Sequence, residues 1–248
     1  MFRLGLIINP IAGIGGAVGL KGSDGMVAEA LARGAMPKAR ERARQALLPL
    51  CSLTEQFELL TVAGEMGETL AAELHLPHRI LYQPAGAQTC AEDTRAAALA
   101  LRDAGVDLLL FAGGDGTARD ICAAVGESCH VLGIPAGCKI HSGVYGVTPA
   151  ASGRVAARMI AGELLSLVDA EVMDIDEEAF RAGKVRARHY GQLLVPGDLR
   201  YVQAVKQGGR ESEELVLADL AAGVVEQIVV GHGEPIGHGA VLAHLVPI

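Results

Sequence analysis

The sequence contains no tryptophan, and aromatic residues make up only 3% of its 248 positions. Large rings therefore cannot fill its interior. The core must be assembled from Ala, Val, Leu and Ile, the composition of parallel strands covered by helices. Cysteines are few: five, odd in number and with no Cys-x-x-Cys pair. That argues against a disulfide framework or a cysteine-based zinc site and reads as reduced thiols of a cytoplasmic protein. Positive charge is also scarce. The formal net charge is −8, so the basic face of a general nucleic-acid binder is not expected, although a local positive pocket for phosphates remains open. No stretch reaches the roughly 18 uninterrupted apolar residues of a membrane span. The apolar start, Met1 to Ile8, is too short for a signal sequence and runs into Asn9-Pro10, so it reads as a first strand.

What the chain does have is glycine, 32 residues of it, concentrated in loops that follow aliphatic runs. Leu4 to Ile8, Phe57 to Val62, Arg79 to Gln83, Val106 to Phe111 and His130 to Ile134 read as strands. Helical segments alternate with them: residues 26–50 with a break near Gly34 and Pro37, Glu65 to Leu74, an Ala-rich helix capped by Thr89 and ending at Gly105, and Thr117 to Val125. This alternation predicts an α/β fold with a doubly wound, mostly parallel sheet over residues 1–147. Beyond it, Pro149 to Leu165 reads as a helix, Val168 to Ile175 and Lys184 to Val195 as strands, Tyr201 to Lys206 as a further strand, and Glu211 to Gln227 as a helix. A second, β-rich domain is expected over residues 148–228, with an irregular or truncated tail over 229–248.

Three strand-following loops carry the chemistry. In Gly113-Gly114-Asp115-Gly116-Thr117, consecutive glycines let backbone N–H groups converge on an anion, and the next helix starts with free N–H groups and a favourable dipole. Asp115 beside a phosphate suits contact with Mg²⁺ or acceptance of a proton from an attacking hydroxyl. The bland alternative is a strand-to-helix turn in which Asp-Gly serves geometry alone. The second loop, Asn9-Pro10-Ile11-Ala12-Gly13-Ile14-Gly15-Gly16, is glycine-rich but is neither a Walker A loop nor a clean GxGxxG. Lys21 and Asp24 follow it in a glycine-rich setting, as an ordered loop or as solvated charges. In the third, Gly133 to Gly143, Lys139 and His141 are placed to neutralise phosphate, or are a surface lysine and a helix-start histidine. Cys138 reads as a packing residue. Ligands of open α/β sheets bind at the carboxyl ends of the strands, so the three loops are expected to meet there.

No metal-ligand set is read from the sequence. His232, Glu234 and His238 are separated by Pro and Gly and share no helix or strand face. Asp174, Asp176, Glu177 and Glu178 read as an acidic turn between strands.

Together, NPIAGIGG, GLKGSDG, FAGGDGTARDI and GIPAGCKIHSGVY resemble the NAD kinase and diacylglycerol kinase superfamily. They are most similar to its ATP-NAD kinase-like branch, which includes the acetoin-catabolism X proteins. The resemblance continues through Asp174 to Phe180 and Arg188 to Gly191. It implies a nucleotide in a cleft between an α/β domain and a β-rich domain. By that resemblance Gly113, Gly114, Gly116 and Thr117 would contact its phosphates and Asp115 would be catalytic. From the loops themselves, Asn9, Gly13, Gly15 and Gly16 are further candidate phosphate contacts, and Lys21, Asp24, Lys139 and His141 candidate substrate contacts. The implied reaction is transfer of the γ-phosphoryl of ATP, or of polyphosphate, with Mg²⁺, to the 2′-hydroxyl of NAD, giving NADP. Homo-oligomers are implied too; the acidic net charge and the lack of an exposed amphipathic basic stretch read separately as no nucleic-acid and no membrane partner.

The chain departs from that pattern in two places. NAD kinases carry an Asn-acid dipeptide after GGDGT, where this chain has PAGCKIHSG. Relatives also continue into a glycine-rich segment returning to the first domain, so an ending at Ile248 reads as a truncation. These departures favour, as the alternative function, a non-catalytic nucleotide-binding accessory protein of a catabolic pathway.

Overall fold

A computed structural model of the chain describes residues 1–14, 27–86, 88–137, 140–163, 166–175, 187–197, 202–203, 228–230 and 234–236. Five parallel strands form the main sheet: β1 (Phe2–Ile8), β2 (Phe57–Val62), β3 (His78–Tyr82), β4 (Leu108–Gly113) and β5 (Val131–Pro135). Their order is β3-β2-β1-β4-β5. β1 and β4 are central, and their continuous aliphatic runs follow from burial on both faces. Leu4, Leu6, Ile7, Ile8 and all of Leu108 to Ala112 are fully buried.

Helices close both faces. α1 (Val27–Ala32) and α2 (Ala39–Leu47) lead from β1 to β2, and α3 (Glu68–Glu73) leads from β2 to β3. α4 (Ala91–Asp103) crosses from β3 to β4, and α5 (Asp115–Val125) joins β4 to β5. α6 (Pro149–Ile160) follows β5 and packs on α2, while α4 packs on α5. This is the doubly wound α/β arrangement that the alternating pattern predicts.

Local signals explain most boundaries. Gly34, at φ +83°, ends α1 and separates it from α2. The helix expected over Glu65 to Leu74 is divided, because Gly67 at φ +155° stands between a 3₁₀ turn (Gly64–Met66) and α3. α6 stops at Ile160, short of the expected Leu165. Gly162 adopts φ +81°, Gly162 N donates to Met159 O and Glu163 N to Arg158 O, and this Schellman pair satisfies the last carbonyls. At its start, Thr148 Oγ1 accepts from Ala151 N at 3.1 Å with Pro149 in the first turn. Both are strong start signals.

The start of α4 corrects the expectation of a Thr89 cap. Cys90 occupies the cap position. Its backbone N–H donates to Asp93 Oδ2 at 2.8 Å, its thiol to the same oxygen at 3.2 Å, and Tyr82 Oη donates to Asp93 Oδ1 at 2.9 Å. Burial opposes ionisation of Asp93, but the hydrogen bonds from Cys90 and Tyr82 outweigh it and hold the carboxyl below its usual range. The stability it contributes is therefore present above the ordinary carboxylate pKa and is lost as pH falls through the lowered value. Asp93→Ala is expected to cost about 1–2 kcal/mol at neutral pH and to flatten the acid limb, as read by urea denaturation across pH.

Beyond α6, β6 (Ser166–Ile175) and β7 (Ala187–Gly197) form an antiparallel pair with a register shift between Val172 and Met173. Both belong to a compact unit spanning Met1–Val205, and α5 packs against them. Of the strand expected at Tyr201 to Lys206, Val202 is described, in an antiparallel bridge to Gly146. A second unit, Lys206–Ile248, contains the short antiparallel pair β8 (Ile228–Val230) and β9 (Glu234–Ile236). The helix expected over Glu211 to Gln227, and His232 and His238, lie outside the described residues.

Candidate functional site

Strand order places the site. The chain winds outward from β1 through β2 to β3, then returns to the other side of β1 as β4. The β1/β4 boundary is thus the topological switch point, where ligands of such sheets bind. Register aligns the strand ends: Ile8 lies opposite Ala112, and Gly113 opposite Pro135. The loops after β1, β4 and β5 therefore leave the sheet side by side.

Specific contacts lock them together. Asn9 Nδ2 donates to Thr117 Oγ1 at 3.0 Å, while Asn9 Oδ1 accepts from Ile11 N at 3.2 Å. Ala136 N donates to Gly113 O at 2.9 Å. Gly114 and Gly137 cross so closely that a Cβ on Gly137 would lie 3.0 Å from Gly114 Cα. Gly13, at φ +75°, would place a Cβ 2.4 Å from Ala136 O. The convergence expected from topology is thus present in the first and third loops as well as the second. Gly13→Ala is expected to lose about 1–2 kcal/mol to its left-handed backbone alone, and more through the clash with Ala136. Gly34→Ala, at φ +83° with nothing within 4 Å, carries the backbone term only. Urea denaturation of the two variants should rank Gly13→Ala as clearly the worse.

Gly114 is the extended residue before α5, which begins at Asp115, two positions earlier than the expected Thr117. The first N–H groups of a helix have no intrahelical acceptor, so those of Asp115, Gly116 and Thr117 face the loop crossing as an anion-compatible end. Thr117 itself is buried, its side chain held by Asn9 and packed where a Cβ on Gly113 would lie 2.4 Å from Thr117 Cβ.

Asp115 is buried, with 6% of its surface exposed, and it is the hub of the site. Its Oδ2 accepts from His141 N at 2.8 Å and lies 3.0 Å from His141 Nδ1. Its Oδ1 accepts from Ser142 N at 3.1 Å and from Ser142 Oγ at 2.7 Å. Ser142 Oγ also stands 2.8 Å from Met173 O and accepts from Met173 N at 3.0 Å. One serine thereby ties the β4 and β5 loops to β6. Beneath them, Tyr145 is fully buried and its hydroxyl donates to Gly114 O at 2.6 Å. Burial first, then the charges of Asp115 and Asp174, push the Tyr145 phenol well above its usual pKa, so it stays a neutral donor.

Sequence reasoning missed Ser142, Tyr145 and Arg119, and it read Asp174 as part of an acidic turn, whereas Asp174 lies within β6. Arg119 Nη1 pairs with Asp174 Oδ2 at 2.9 Å, and its guanidinium lies 5.5 Å from the ring centre of Tyr190. Burial works against the Arg119 charge, but Asp174, Asp120 and Tyr190 together outweigh it and raise the guanidinium pKa. The signal available for Ser142 was its position directly after His141 in the third loop. Gly15, Gly16, Lys21, Asp24 and Lys139 lie outside the described residues.

Among the described residues, no three His, Cys, Asp or Glu side chains come together to hold a metal ion. The oxygens of Asp115 are engaged by protein donors, so the described carboxylates do not fit a protein-held ion. No helix among the described residues is long and apolar enough to cross a membrane.

Residues 4–164 match the model of the ATP-NAD kinase N-terminal domain. The chain belongs to that family. No curated protein and no solved structure matches it. Membership in the ATP-NAD kinase family points to a kinase-like, nucleotide-binding phosphotransferase, and the matched span covers all three converging loops, Asp115 and His141.

Proposed function

We propose that the protein transfers the terminal phosphoryl group of MgATP, or of polyphosphate, to the 2′-hydroxyl of NAD, forming NADP. The observation that carries this reading is the loop crossing at the β1/β4 switch point, where a helix N-terminus and the buried Asp115 meet. Phosphoryl transfer asks little covalent chemistry of a protein and much positioning and charge stabilisation. In this reading Gly13, Gly113, Gly114 and Gly116 let the phosphates approach backbone N–H groups. Asn9 and Thr117 fix the two loops to each other, and Asp115 is the carboxylate of the reaction. Gly15, Gly16, Lys21, Asp24 and Lys139 complete the substrate contacts, with the lysines countering phosphate charge. The free thiols of Cys51, Cys90, Cys122 and Cys129 support a reducing, cytoplasmic setting. Burial raises the Cys129 pKa to about 11, which keeps that thiol inert.

The test is incubation of the purified chain with NAD and either MgATP or polyphosphate, followed by enzymatic assay of NADP. Formation of NADP is the expected result. Nucleotide binding by calorimetry, with no transfer from either donor, would replace this reading with that of a non-catalytic accessory protein.

A further inference from the structure

We infer that His141 is the group that takes the proton from the attacking hydroxyl, and that Asp115 acts through it. The inference rests on the phosphotransferase reading above but changes which side chain meets the substrate. Asp115 receives one backbone N–H on each carboxylate oxygen, from His141 on Oδ2 and Ser142 on Oδ1. N–H groups only donate, so both carboxylate oxygens serve here as acceptors. The ring nitrogen 3.0 Å from Oδ2 is Nδ1 of His141. In the neutral imidazole the nitrogen that faces this acceptor oxygen carries the proton, and the lone pair is left on Nε2.

Exposure separates the two partners. The Asp115 side chain is 5% exposed and that of His141 is 40% exposed. A buried carboxylate thus orients an imidazole whose far nitrogen meets no partner among the described residues, the arrangement that makes a histidine a general base. Asp115 offers a hydroxyl little room, because both its oxygens are already engaged. His141 offers, on the same loop crossing, a nitrogen that is unengaged among the described residues.

The step balances. The hydroxyl oxygen forms a bond to the terminal phosphorus as the bond from that phosphorus to the bridging oxygen breaks. The hydroxyl proton passes to Nε2 of His141, ADP (or the polyphosphate shortened by one unit) leaves with the bridging electrons, and the imidazolium then gives its proton to solvent. Asp115 fixes the tautomer of the neutral ring and stabilises the imidazolium that forms.

His141→Asn separates the functions, since its amide can still donate to Asp115 yet holds no base. With MgATP and NAD it should lower kcat by about 10²–10⁴-fold, the usual share of a general base, with little change in KM for nucleotide. His141→Ala should regain turnover when imidazole is added, in proportion to the basicity of substituted imidazoles, which a structural role would not produce. Nitrogen-15 spectra of the full chain, with the His141 signal assigned by its loss in His141→Asn, should show the Nδ1–H tautomer. Near-normal kcat in His141→Asn, no imidazole rescue in His141→Ala, or an Nε2–H tautomer would each overturn the assignment while leaving the phosphotransferase reading intact. A wild-type chain that transfers phosphate to no acceptor would overturn both.

Discussion

Asp115→Asn should lower kcat by about 10²–10⁴-fold while leaving nucleotide affinity close to that of the wild type. The exchange keeps volume and removes charge, so its consequences can be followed donor by donor. If the amide nitrogen faces Ser142, Ser142 Oγ can accept from it and give its own proton to Met173 O, 2.8 Å away. Ser142 N then loses its acceptor, a loss worth about 1–3 kcal/mol for a buried donor. The remaining oxygen still receives His141 N and Nδ1, and the ring stays in place. What disappears is the negative charge that stabilises the imidazolium as the proton arrives. The opposite orientation would set an amide N–H against two donors from His141, so it is disfavoured.

Because Asp115 acts through His141, the two should not be additive. The double variant Asp115→Asn with His141→Asn should be no slower than His141→Asn alone, as expected of groups that work as one unit. Rates that multiply would mean that Asp115 contacts the reacting atoms independently. Stopped-flow or initial-rate assays on the four proteins of the cycle decide it, with calorimetric binding of ATP as the check on folding.

The parts of this site that were legible in the sequence are those set by local signals. The buried run Leu4 to Ile8, the Gly-Gly after Phe111, and the turn at Asn9-Pro10 each declare a strand ending in a loop. Parallel-sheet topology then brings those loops to one edge without further information, and the register of Ile8 with Ala112 and Gly113 with Pro135 agrees. Less legible was the partner of each polar group. His141 was read as a phosphate contact, while its Nδ1 lies on Asp115, 26 residues away in sequence. Ser142 bonds to Met173 across 31 residues. Such pairs depend on how β6 lies against α5, and no spacing rule encodes that. The Cys90 cap of α4 was missed for a simpler reason, since cysteine ranks below threonine as a cap until Asp93 reaches back to its N–H.

Gly153 shows how far the site depends on packing outside it. It lies within α6, and a Cβ there would stand 2.1 Å from Ala46 O, 2.9 Å from Ala46 C and 3.1 Å from Ala46 Cα. All three atoms belong to the backbone of α2, so no side chain can turn aside and the helices must separate. Gly153→Ala gains up to about 1 kcal/mol of helix propensity, but overpacking on this scale costs about 3 kcal/mol or more. The balance should lower Tm by roughly 4–8 °C at the usual 2–4 °C per kcal/mol for a chain of this size. Gly162→Ala, with φ +81° and nothing within 4 Å, should lose only about 1–2 kcal/mol to left-handed strain. The consequence for function runs through the start of α6. Ser152 Oγ donates to Gly133 O at 2.8 Å, and Gly146 N donates to the same carbonyl at 3.0 Å. Gly133 itself lies against the ring of Tyr145, where a Cβ would come within 2.3 Å, and Tyr145 supports Gly114. Displacing α6 therefore tilts the floor under the loop crossing. Gly153→Ala should weaken nucleotide binding as well as stability, whereas Gly162→Ala should leave binding unchanged. Thermal unfolding and calorimetry on the two variants separate packing that reaches the site from strain that does not.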